Sequence, residues 1–169
     1  MTDIMALDIE TGNYSYEIGG WDKTALFEPT VVATWDGTTG NVYCNKALDI
    51  DATVKELHPR TLGDDLSDFI NKGGCILGHN IKGFDLPVLR HALDCWTAGE
   101  MIDKSSDLSK SVLDTKNLFQ KAVTLMGGVR CDTTLNTLVK STLGSEKLMT
   151  SHDAPLAWRN GQFDDVAKY

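Results

Sequence analysis

Met5-Ala6-Leu7-Asp8-Ile9-Glu10-Thr11-Gly12 is the stretch from which the fold can be read. Met5 to Ile9 predicts a short, mostly buried strand, and side chains on a strand alternate between its two faces. Asp8 and Glu10 therefore leave the end of that strand on one face. Two carboxylates so placed repel each other unless a cation lies between them. Oxygen ligands on one rigid element suit Mg²⁺ or Mn²⁺. The alternative is a strand end with two solvated acids, because acid–x–acid triplets are common by chance.

Outward from that strand, Thr30 to Trp35 is rich in β-branched residues and predicts a second strand, and Asn41 to Cys44 a third. Asp36-Gly37-Thr38-Thr39-Gly40 between them reads as a hairpin turn. Leu62, Leu66, Phe69 and Ile70 repeat at helical spacing, with Thr61 as the N-cap and Gly73-Gly74 as the stop. Cys75-Ile76-Leu77-Gly78 is a fourth strand. A helix over 86–93 tolerates Pro87 in its first turn. Val112-Leu113 is a fifth strand, ending at Asp114, which can cap a helix over 116–126. A helix over 133–143 follows, capped by Asp132 and ended by Gly144. Residues 103–110 read as a polar loop and 147–158 as irregular chain. Phe163, Val166 and Ala167, with Tyr169, mark one face of a final helix. Three strands joined by turns, then helix–strand–helix–strand, predict an α/β fold with a mixed five-stranded sheet flanked by helices, in one domain over 1–169.

Bulk properties narrow the classes. A chain of 169 residues, 41% hydrophobic and 24% charged, is ordinary for one globular domain. No apolar run is long enough to cross a bilayer, and Met1-Thr2-Asp3-Ile4 lacks a secretion pattern, so an intracellular, cytoplasmic protein is expected. Cys44, Cys75, Cys95 and Cys131 contain no C-x-x-C pair, which argues against structural zinc and a disulfide scaffold and fits a reducing compartment. Each is expected to fill a small apolar space. The net charge of −8 offers no basic footprint for duplex nucleic acid. An acidic nuclease is still compatible with it, since divalent cations carry part of the attraction for phosphate.

The second informative stretch is Gly78-His79-Asn80-Ile81-Lys82-Gly83-Phe84-Asp85-Leu86-Pro87-Val88-Leu89. It follows a buried strand and opens a helix, so Asp85 falls at a helix N-terminus, where negative charge is favoured. Asn80 can hydrogen-bond a substrate or brace the loop, and Phe84 offers a flat face to a base or sugar. Taken singly, Asp85 reads equally as a helix cap and Asn80 as a turn residue.

Together, D-I-E-T at 8–11 and N-x-x-x-F-D at 80–85 resemble the first two motifs of DEDD-superfamily 3′–5′ exonucleases. The run from Gly78 to Leu89 is similar to the second motif of proofreading domains in family B DNA polymerases. The order of elements suits the ribonuclease-H-like fold of that superfamily and is compatible with other α/β folds. The resemblance implies a hydrolase that uses two Mg²⁺ or Mn²⁺ ions. Asp8 would bridge both ions, Glu10 would hold one, and Asp85 would serve the other. Thr11, Asn80 and Phe84 would position the 3′-terminal nucleotide, with Lys82 near phosphate or simply solvated. The implied substrate is the 3′ end of single-stranded DNA or RNA, the product a nucleoside 5′-monophosphate, with no membrane partner. A bacterial or phage origin fits, and a polymerase or helicase domain can accompany such a domain in its parent protein.

The third motif departs from the pattern. In the tyrosine branch it is Y-x-x-x-D on the last helix, and here Gly161 to Tyr169 resembles only its approach. The implied roles are Tyr169 as the catalytic, water-orienting residue and an aspartate beyond it as the last ligand, so a truncated C-terminus is expected. His152 is followed by Leu156, so the alternative H-x-x-x-x-D form is absent. Asp114 can approach the site, although a cap is its ordinary role. Phe163 and Val166 are expected beneath the first strand, bringing Tyr169 towards Asp8 and Glu10. Lys116, Lys140 and Lys147 are open to phosphate contact or to solvation, and Trp21, Trp35, Trp96 and Trp158 to base stacking or to core packing. A non-catalytic module of the same fold, binding nucleic acid or protein, is the competing reading, and a structure-specific endonuclease is a third.

Overall fold

The computed structural model describes residues 3–128, 131–144, 149–150 and 152–169. Six strands form one mixed sheet: β1 (Ile4–Thr11), β2 (Pro29–Trp35), β3 (Gly40–Cys44), β4 (Thr53–Lys55), β5 (Cys75–Gly78) and β6 (Val112–Asp114), in the order β4-β3-β2-β1-β5-β6. β1 pairs antiparallel with β2 and β2 with β3, while β5 runs parallel to both β1 and β6. The fold is α/β, with six strands rather than five. The extra strand, β4, has three residues and lies parallel to β3 at the sheet edge. Its Val54 is exposed, so no alternation of buried and solvated residues marks it in the sequence.

The hairpin between β2 and β3 is the expected one. Asp36 accepts at Oδ1 from the N–H groups of Thr38 and Thr39, at 2.9 and 2.7 Å, which fixes the turn. Helix α1 (Pro59–Asn71) begins before Thr61; His58 is its N-cap, accepting from Arg60 N, with Pro59 in the first turn. Three further helices are α2 (Asp85–His91), α3 (Trp96–Ile102) and α4 (Thr115–Leu125). The expected loop over 103–110 contains a 3-10 turn from Asp107 to Ser111. Helix α5 (Leu135–Leu143) is capped by Thr134 rather than by Asp132, whose carboxylate instead accepts from Thr134 N. Gly144 ends it in the left-handed region, φ 66°. Irregular chain was expected up to Trp158, but α6 spans Ala154–Arg159, and α7 spans Phe163–Lys168. Six-residue helices are below the length at which periodicity is visible, and tertiary packing sustains them.

The sheet buries both faces. On one, Leu7, Ile9, Val32 and Tyr43 pack with Leu62 and Leu66 of α1, Leu86 and Leu89 of α2, and Met101 of α3. On the other, Val31, Val42 and Cys44 pack with Ala157 of α6 and Val166 of α7. Asp8 lies opposite Ala33 and Glu10 opposite Val31, so both acids project on this second face. Cys44, Cys75 and Cys95 are buried free thiols; Cys131 is exposed, contrary to the expectation that every cysteine fills apolar space. Among the described residues no helix is long and apolar enough to cross a membrane.

Candidate functional site

The pairing of β1 with β5 runs only from Ile4 to Ala6, because β5 ends at Gly78 and the chain turns away into α2. That divergence opens a gap beside the second half of β1. The turn that makes it is tight. Asn80 has φ 64°, an uncommon conformation that Asn tolerates better than most residues, and its carbonyl accepts from Gly83 N and Phe84 N at 2.9 Å each. A Cβ at Gly83 would lie 2.6 Å from Asn80 Oδ1, and one at Gly78 would lie 2.7 Å from Ile81 Cβ. At Gly78 the clash is with a branch-point carbon that cannot swing aside, whereas a side chain at Gly83 would displace the Asn80 amide.

Asp114 holds this turn from behind. Its Oδ1 accepts from Asn80 N at 3.1 Å and Asn117 N at 3.2 Å, and its Oδ2 from Lys82 N at 3.1 Å. The residue caps α4, as the sequence suggests, and the same carboxylate ties the turn after β5 to the start of α4. It is 5% exposed, with both oxygens engaged by backbone donors.

The turn delivers Asp85, the first residue of α2, into the gap. Asp85 is 3% exposed and its carboxylate faces the N–H of Ile9, between Asp8 and Glu10 along β1. Burial pushes its pKa well above the ordinary carboxylate value of 3.8; the charge of Asp8 and, less strongly, that of Glu10 push it in the same direction, while the N–H groups of Asp85 and Ile9 oppose them. Asp8, Glu10 and Asp85 line one cleft of 540 Å³ together with Thr11, Asn80 and Phe84. Phe84 is set edge-on to Phe27 and Trp21, with ring centroids 5.0 and 5.3 Å away.

Lys82 and Tyr169, which the resemblance puts at the site, do not line this cleft. Lys82 directs its ammonium to the carbonyl of Ser109 at 3.2 Å. Among the described residues the cation on the cleft wall is Lys116, which donates to Asn80 Oδ1 at 3.3 Å. Tyr169 sits at the end of α7, its N–H bonded to Asp165 O. Helix α7 docks on the face that carries Asp8 and Glu10, but over β2 and β3 rather than beneath β1 as expected: Val166 packs with Val31, Val42 and Cys44. Phe163 is half-buried against Trp158, with the Lys46 ammonium over its ring.

His79, which lies within the second informative stretch, and Trp21 and Lys116, which lie outside both motifs, also line the cleft. His79 Nδ1 lies 3.0 Å from Thr115 Oγ1, and burial holds its pKa below 6.5, which favours a neutral ring at neutral pH. For Lys116 the sequence left phosphate contact and solvation open, and the structure puts it on the cleft wall. Among the described residues no three His, Cys, Asp or Glu side chains gather closely enough to hold a metal ion as they stand. The donor set nevertheless suits a hard divalent cation, since it consists of carboxylates and a buried acid destabilised by like charge. No protein-family model and no curated protein matches the chain.

Proposed function

We propose that this chain is a 3′–5′ exonuclease domain of ribonuclease-H-like fold and DEDD type. It hydrolyses phosphodiester bonds at single-stranded 3′ ends, DNA in preference to RNA, and releases nucleoside 5′-monophosphates. The observation that carries this reading is Asp85: a buried carboxylate that lines one cleft with Asp8 and Glu10 and is pushed upward in pKa by burial and by the charge of both. Such an arrangement destabilises the protein unless a cation or a proton neutralises it, and strongly perturbed acids in a cleft mark functional sites. Asp8, Glu10 and Asp85 would hold the Mg²⁺ or Mn²⁺ ions, which when bound supply an activated water and charge stabilisation at the leaving 3′ oxygen.

The remaining residues bind and orient. Phe84, braced by Phe27 and Trp21, presents a ring to the terminal base or sugar. Asn80 is fixed in place through Asp114 and Lys116 and sets the wall against which the terminal nucleotide lies. Thr11 follows Glu10 where the register with β2 shifts, and it lines the cleft beside Glu10. Lys116 places a positive charge within reach of a phosphate.

The test is a single-stranded oligonucleotide labelled at its 5′ end and incubated with Mn²⁺. A ladder shortening from the 3′ end, release of nucleoside 5′-monophosphate, and resistance of circular single-stranded DNA are expected. Asp8→Ala should remove the activity. Absence of mononucleotide release from DNA and RNA alike, with Mg²⁺ or Mn²⁺, would sink the proposal.

A further inference from the structure

An aromatic surface continues the cleft away from its carboxylates. Thr11 and Trp21 line the cleft and also line a small depression of 100 Å³ formed with Tyr14, Tyr16 and His152. Tyr14 and Tyr16 stack with centroids 4.9 Å apart and planes at 12°, and His152 lies 5.1 Å from Tyr14. Tyr16 is 68% exposed and Trp21 63%. Core packing accounts for Phe27, which is 3% exposed, but not for the open surface of Tyr16 or of Trp21, whose ring rests on Phe27 and Phe84 at 5.9 and 5.3 Å and faces solvent with the rest.

The surface is pre-organised. Glu17 Oε2 accepts from Tyr14 N at 2.8 Å, and Gly20 N donates to Ser15 O at 2.8 Å, which closes the loop that carries both tyrosines. From α6, Arg159 grips Glu17 with two nitrogens at 2.8 and 2.6 Å and Gly12 O at 2.9 Å, and its guanidinium lies 5.3 Å from the Tyr14 ring centre. Tyr14 therefore has a fixed backing, and Tyr16, stacked on it, is left largely open to solvent. A planar π-system is the ligand such an arrangement suits. Stacking of this kind does not depend on base identity, because every base has a π-face. It also needs no phosphate contacts, which fits a chain of net charge −8.

We infer that Tyr16 and Trp21 form a base-stacking platform for the nucleotides preceding the terminal one in a single strand whose 3′ end lies at Asp8, Glu10 and Asp85. The direction of the strand rests on the exonuclease reading; the stacking itself does not. A strand too short to reach beyond the cleft gains nothing from the platform, whereas one of several nucleotides does.

The experiment compares 5′-fluorescein octathymidylate with dithymidylate, using wild type, Tyr16→Ala and Tyr16→Trp. Binding is read by anisotropy in EDTA, and mononucleotide release is read with Mn²⁺. Both substitutions fall on an exposed ring, and circular dichroism checks that the fold is kept. The expectation is that Tyr16→Ala weakens octathymidylate binding about tenfold, leaves dithymidylate unaffected, and raises KM for the octamer at unchanged kcat. Tyr16→Trp should restore all three. Equal octamer affinity in wild type and Tyr16→Ala, or no octamer binding by wild type, overturns the platform even if mononucleotides are released normally. Loss of octamer binding in Tyr16→Ala with no release from any substrate supports the platform and removes the exonuclease reading alone.

Discussion

Two aspartates of similar burial show how differently a carboxylate can be used. Asp114 is satisfied by three backbone donors, so its removal orphans them together. Asp114→Ala should cost about 2–3 kcal/mol, combining a lost helix cap with charge-assisted bonds to the turn. Denaturant unfolding measures this, and a cost no larger than that of the exposed Asp107→Ala would show that the turn is held by other contacts. Asp85 is the reverse case, since burial and like charge raise its pKa. For an acid with a raised folded pKa, stability is greatest below the unfolded value and falls as pH rises through the folded one. Asp85→Asn should therefore raise the melting temperature in EDTA at pH 7–8, by about 2–4 °C for each kcal/mol of relief. The gain should disappear below pH 3.8, the ordinary value for the group. The same variant should lose the stabilisation that Mn²⁺ gives the wild type. A variant less stable than wild type in EDTA at neutral pH would contradict this account of Asp85.

Among the elements, α6 and α7 are the shortest helices, and each depends on what it is tied to. Val166 of α7 is 2% exposed between β2 and β3, and Val166→Ala should cost about 1–2 kcal/mol by leaving a cavity there. A cost near zero, read by denaturant unfolding, would mean that α7 is not docked on the sheet. Helix α6 is tied to the loop after β1 through Arg159 and Glu17. The hydrogen bonds from Arg159 and Tyr14 N hold the Glu17 carboxyl at about 2, against an ordinary value of 4.5. Because the folded pKa is depressed, the pair's contribution is present above pH 4.5 and is lost as pH falls through about 2. Melting curves of wild type and Glu17→Gln should differ at pH 6 and converge between pH 4.5 and pH 2. A constant difference across that range would mean the ion pair is not what links α6 to the loop.

At the scale of the whole molecule, charge decides how a nucleic acid can be held. With a net charge of −8 and Lys116 as the cation on the cleft wall, a bound single strand would make about one or two phosphate contacts. For single strands the logarithm of affinity falls with slope about −0.7 per contact, so raising salt from about 50 to 200 mM should weaken binding less than about tenfold. Titration of octathymidylate at the two salt concentrations measures this. A loss of a thousandfold would require a basic surface that the described cleft does not have.

The amino-acid order was sufficient for the alternation that puts Asp8 and Glu10 on one face of a strand, for the hairpin at Asp36–Gly40 and for the Asp114 cap. These depend on residues near one another in the chain, where period-two patterning and turn chemistry are decisive. It also marked the segment ending in Asp85 as the start of a helix. That Asp85 is buried against Ile9 N–H, that Lys116 rather than Lys82 reaches the cleft, and that α7 lies over β2 and β3 were decided only by tertiary structure. Each depends on where β5 parts from β1 and on which apolar face packs where. Strand β4 and helix α6 belong with them, since three and six residues carry too little periodicity to be recognised before their partners are in place.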